Sequence, residues 1–131
     1  MAQQAGTRNR PLSPHLQIWR WGPGMLSSIL HRATGIAASV GIFVLLWWLG
    51  ALVAGPAAYA KFVDLADSPL GILILLGISY SVIAHGITGI RHFVLDTGAG
   101  YELDTNKRWA TICTALGVIL TAVFWAALLL R

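Results

Sequence analysis

A single cysteine, Cys113, and only five acidic residues in 131 set the first limits on what this sequence can be. One thiol cannot build an iron–sulfur cluster or a structural zinc site from this chain alone, because those take several ligands. Nor can it form a disulfide framework. Charged residues make up 11% of the chain, against about 25% in an ordinary soluble domain. No glycine-rich nucleotide fingerprint follows a strand, which excludes an encoded flavin or nicotinamide domain. There is no internal repeat. The opening residues lack the apolar core and small-residue cleavage site of a secretory signal peptide, and they are too short and too weakly amphipathic for a transit peptide. The net charge of +4 is spread over segment ends, which speaks to membrane topology and gives no reason to expect nucleic acid.

What the sequence does have is apolar length. Hydrophobic residues make up 56% of the chain and the mean hydropathy is +0.70. Three runs, at about residues 25–52, 69–95 and 109–130, each exceed the roughly 20 residues that cross a hydrocarbon core. Only helices do this without exposing backbone polar groups to lipid, and three continuous spans are too few for a barrel. The reading is therefore an all-α membrane protein with a polar, interfacial arm over residues 1–24 and a three-span domain over residues 25–131. Pro11 and Pro14 favour an extended arm. Trp19 and Trp21, flanking Arg20, suit the headgroup layer. Pro69 at a helix start and Gly98 just past a helix end agree with these limits.

Basic residues give the orientation. Arg8, Arg10 and Arg20 lie in the arm, and Arg91, Lys107 and Arg108 lie around the connection between spans two and three. The connection between spans one and two has only Lys61, beside Asp64 and Asp67. The positive-inside rule then puts the N-terminus in the cytoplasm and the C-terminus, at Arg131, outside. Trp47, Trp48 and Tyr59 at one level, with Trp109 at the other and Trp125 opposite it, form aromatic belts.

The chemistry gathers on one side of the bilayer. Ser27, Ser28, His31 and Arg32 fall in the cytoplasmic third of span one, and His85, Arg91 and His92 toward the cytoplasmic end of span two. His85 precedes Arg91 by six residues, which sets it about 9 Å deeper. Ionisable groups at such depth are costly unless paired, so they are functional candidates. His85, Gly89 and His92 share one helix face, extended outward by Ser81, while Gly86 and Gly89 remove bulk beside His85. Ser28, Arg32 and Gly35 form a stripe on span one. A flat, bulky group fits over such glycines with an imidazole reaching it. The plainer alternatives stay open on spacing alone. Gly35, Gly41 and Gly77 read first as helix-packing positions, His85 as either a metal ligand or a hydrogen-bonding partner of a neighbouring helix, and Arg91 as a snorkelling cation or a partner of Asp96. The unaided reading reaches an anionic or redox cofactor at the cytoplasmic side.

Two motifs carry a resemblance. Ser28-Ile29-Leu30-His31-Arg32-Ala33-Thr34-Gly35 and His85-x-x-x-Gly89-Ile90-Arg91-His92, continuing to Asp96-x-Gly98, resemble those of the cytochrome b556 large membrane-anchor subunits of succinate dehydrogenase, respiratory complex II. The Arg10-Pro11 opening and three-span layout fit as well. The resemblance implies part of a heteromeric membrane-anchor helix bundle, inactive alone, in a complex with a flavoprotein subunit, an iron–sulfur subunit and a second small anchor subunit. It implies haem b shared with that second anchor, with His85 as one axial iron ligand and the other histidine supplied by the partner. His31 and Arg32 would lie near the haem propionates, with Arg91 and His92 at the interfacial edge of the same cofactor site. Ser28 and Arg32 would line a ubiquinone site. It favours a bacterial inner (plasma) membrane over the mitochondrial inner membrane. A fumarate reductase anchor and a non-haem, lipid-binding assembly subunit are the alternatives.

Overall fold

The computed structural model describes residues 20–131. The expectations for Arg8, Arg10, Pro11, Pro14 and Trp19 lie outside the described residues. Four helices follow in order: α1 (Pro23–Ala54), α2 (Pro56–Ala66), α3 (Pro69–Asp96) and α4 (Leu103–Leu129). There is no strand among the described residues. Three of the helices, α1, α3 and α4, are long and apolar enough to cross a membrane.

Local chemistry sets the helix ends. Pro23, Pro56 and Pro69 each stand in the first turn, where the missing N–H costs nothing. Ser68 caps α3, accepting from the Gly71 N–H at 3.0 Å. Gly55 (φ 105°) joins α1 to α2. A Cβ at Gly71 would run into the backbone of Leu65 and Ala66, so glycine is what allows the tight α2–α3 turn. Two boundaries differ from expectation. The connection between the first two spans is itself a helix, α2, fastened by an edge-on contact of Phe62 with Trp47 (ring centroids 5.0 Å apart). Also, α4 starts at Leu103, because its charged first turns continue the span as helix, with Lys107 3.9 Å from Asp104.

The three spans touch one another, with α3 against both α1 and α4. Small residues make the seams: Ser27, Thr34 and Gly41 on α1, Ser81, Ala84 and Thr88 on α3, and Ala110, Cys113, Gly117 and Thr121 on α4 are buried. Spacings of three, four and seven keep each set on one stripe. Close approach follows, with the Cβ position of Gly41 2.7 Å from Ile78 and that of Gly117 2.9 Å from Ala84. Apart from that of Ser27, hydroxyls in the seams are satisfied within their own helices, as Ser81, Thr88 and Thr121 donate to carbonyls four residues back. Large apolar side chains point outward, among them Ile36, Phe43, Val53 and Phe93. At most 17% of each span's most apolar window is buried within the chain, so most of that surface faces lipid or other subunits.

Candidate functional site

The seam between α1 and α3 holds three imidazoles. His31 and His85 stack with ring centroids 4.0 Å apart and planes within 4°. His92 leans on His31 at 4.7 Å, tilted by 48°. Helical spacing explains the grouping. His85 and His92, seven residues apart, share the face of α3 turned to α1.

Each of the two stacked rings has one nitrogen tied down. Nδ1 of His85 lies 3.0 Å from the His31 carbonyl oxygen and 3.5 Å from Thr34 Oγ1. The carbonyl only accepts, so His85 Nδ1 carries the proton and donates, which leaves Nε2 with its lone pair in the neutral ring. Thr34 spends its own proton on Leu30 and His31 carbonyls. His31 Nδ1 lies 2.7 Å from Thr88 Oγ1. The Thr88 hydroxyl donates to the Ala84 carbonyl at 2.7 Å, so it accepts from His31. Among the described residues no hydrogen bond engages Nε2 of His85.

Gly35 provides the room for this arrangement. A Cβ there would stand 2.8 Å from Cε1 and 3.2 Å from Nδ1 of His85. Its role is therefore to admit the imidazole, where spacing suggested helix packing. Gly41 does pack a helix, against Ile78, while Gly77 has no neighbour within 4 Å in this chain. Gly86 is likewise open, and Gly89 faces His31 Cε1 at 3.8 Å.

Ser28 and Arg32 form a second pair on the outer side of α1. Arg32 Nη2 donates to Ser28 Oγ at 3.4 Å, with Arg32 exposed and Ser28 half-buried. Ser27, one residue away, is fully buried and its hydroxyl has no partner. Arg91 departs from expectation. About a third of a turn from His85, it is 9% exposed and donates to Asn106 on α4. It neither snorkels nor pairs with Asp96; among the described residues the one ion pair joins Lys107 and Asp104. The structure thus brings His31, His85 and His92 together, places Ser28 and Arg32 beside them on α1, and turns Arg91 away.

Thr34, Thr88 and Asn106 were missed from sequence. Thr88 follows His85 by three residues, a spacing that marks it as a neighbour; for Asn106 no sequence signal exists.

Residues 6–124 match the succinate dehydrogenase/fumarate reductase transmembrane subunit family. The chain belongs to that family. It is 37% identical over 115 residues to the succinate dehydrogenase cytochrome b556 subunit of Paracoccus denitrificans, covering 88% of each chain. It is 37% identical over 116 residues to the mitochondrial cytochrome b560 subunit of Sus scrofa, covering 85% of this chain and 67% of that one. With the cytochrome b556 subunit of Rickettsia felis it shares 32% over 116 residues, covering 88% and 90%. Membership of the succinate dehydrogenase/fumarate reductase family makes this a multi-pass membrane subunit of an enzyme complex, and its three apolar helices accord with that.

Proposed function

We propose that the chain is the membrane-anchor cytochrome b subunit of a succinate:ubiquinone oxidoreductase, holding haem b through His85 and forming part of the quinone-reduction site through Ser28 and Arg32. The observation that carries the haem assignment is the hydrogen bond from His85 Nδ1 to the His31 carbonyl. It fixes the tautomer and leaves Nε2 with its lone pair, which is how a haem-ligating imidazole is usually held. The donor set fits the group: neutral imidazole is a standard iron ligand, and Gly35 leaves the room that this imidazole occupies against α1.

When bound, the haem supplies one-electron redox capacity. His85 would hold its iron together with a histidine of a second anchor subunit. Arg32, permanently charged, would pair with propionate carboxylates, while His31, held by Thr88, and His92, leaning on His31, would shape the edge of the pocket. At the quinone site Ser28 Oγ donates to a carbonyl oxygen. Arg32, already 3.4 Å from Ser28, stabilises negative charge as the ring is reduced. Electrons arrive from an iron–sulfur subunit fed by a flavoprotein that oxidises succinate. With the N-terminus in the cytoplasm of a bacterial cell and the C-terminus in the periplasm, both sites lie toward the cytoplasmic face, where water supplies the two protons.

The test is a reduced-minus-oxidised spectrum of the purified complex, with a b-type haem as the expected result. A normal low-spin b spectrum retained in His85→Ala refutes the ligand assignment.

A further inference from the structure

We propose that the cleft between α3 and α4 beside Arg91 binds an anionic phospholipid, its headgroup phosphate on the guanidinium and one acyl chain along the cleft. This site is separate from the histidines, because Arg91 faces α4 while His85 and His92 face α1.

The starting point is an unbalanced charge. Arg91 is 9% exposed, yet among the described residues no carboxylate pairs with it. Its one hydrogen bond goes to the neutral amide oxygen of Asn106, and Nε is buried with no acceptor. A guanidinium cannot shed its proton to escape the cost of burial. A counter-anion is therefore the missing component.

The surroundings specify what kind of anion. Arg91 lines a cleft of about 340 Å³. Ile87 and Ile90 on α3 face Trp109, Cys113 and Leu116 on α4 across it. Arg91 stands five residues before the end of α3, and Trp109 follows Lys107 and Arg108 near the start of α4, so all lie at the same membrane edge. Leu116 is two turns farther in. The cleft is cationic at its headgroup end and apolar inward, which describes an amphiphile. A neutral quinone supplies no counter-charge. A free phosphate leaves the apolar part unfilled. A phosphodiester has two unesterified oxygens that match the fork of a guanidinium, and its acyl chain suits the aliphatic walls.

The purified complex is delipidated and placed in nanodiscs of phosphatidylcholine, with or without phosphatidylglycerol, and bound lipid is read by native mass spectrometry. Phosphatidylglycerol is expected to stay bound, and Arg91→Gln to weaken its retention about ten-fold, the effect of one lost charge-assisted hydrogen bond. Arg91→Lys, which keeps the charge, is expected to keep most of the retention. Should Arg91→Gln fail to assemble, Leu116→Trp fills the acyl end with Arg91 intact and is expected to reduce retention. Equal retention of phosphatidylcholine, or release of phosphatidylglycerol by inorganic phosphate alone, overturns the proposal. So does undiminished retention in Arg91→Gln or Leu116→Trp.

Discussion

Replacing Gly35 by alanine adds one methyl group to a helix, a change that ordinarily stabilises by about 1 kcal/mol. Here the opposite is expected. The new Cβ would stand 2.8 Å from Cε1 of His85, so the ring must retreat by about 0.6 Å to reach ordinary contact at 3.4 Å. Moving that far from α1 stretches the 3.0 Å contact between His85 Nδ1 and the His31 carbonyl past the limit of a good bond. The bond itself contributes about 1 kcal/mol. Loss of the group that orients a metal-bound histidine lowers affinity about 10- to 100-fold. Gly35→Ala is therefore expected to assemble with its flavoprotein but to carry much less haem, measured as haem per flavin together with the reduced-minus-oxidised spectrum. Gly50→Ala is the matched control, because it lies on the same helix far from the histidines and a Cβ there meets nothing within 4 Å. Wild-type haem content in Gly35→Ala, or an equal loss in Gly50→Ala, would refute the reasoning.

Arg32→Ala is expected to lower quinone reduction about 100-fold, the usual cost of removing one charge-stabilising donor. Succinate oxidation with an artificial acceptor should persist, and unchanged quinone turnover would remove Arg32 from the site. Gly117→Leu drives a side chain into a position already 2.9 Å from the Ala84 Cβ. Overpacking of this kind costs about 1–3 kcal/mol, so the complex should dissociate at lower temperature in a detergent melt.

The spans were legible because an apolar run long enough to cross a bilayer has few other uses. Their ends were less so. Residues 103–108 carry charge and fall before the third apolar run, yet in the structure they are the first turns of α4. Residues 56–66, with Pro56, Lys61 and Asp64, look like a connection and form a helix. At the site, the shared face of His85 and His92 follows from helical period, but which helix that face meets does not. Gly35 was visible as a small residue. That its missing Cβ is filled by an imidazole depends on the register of α1 against α3, which neither helix encodes alone. Arg91 was assigned by proximity in sequence to His92, although one residue is a rotation of about 100°. Asn106 became its partner only because α4 starts early.

Among the described residues the side-chain hydrogen bonds between spans lie at one end of the bundle: His31 to Thr88, His85 to His31 and Thr34, and Arg91 to Asn106. Toward the α2 end α1 meets its neighbours through shape, Gly41 against Ile78 of α3 and Trp47 against Phe62 of α2. Polar bonds demand fixed distances, whereas apolar contacts allow sliding. A bilayer thicker or thinner than the spans must be accommodated by tilt somewhere. In this chain the compliance sits at the α2 end, and the histidine geometry is insulated from the thickness of the membrane around it.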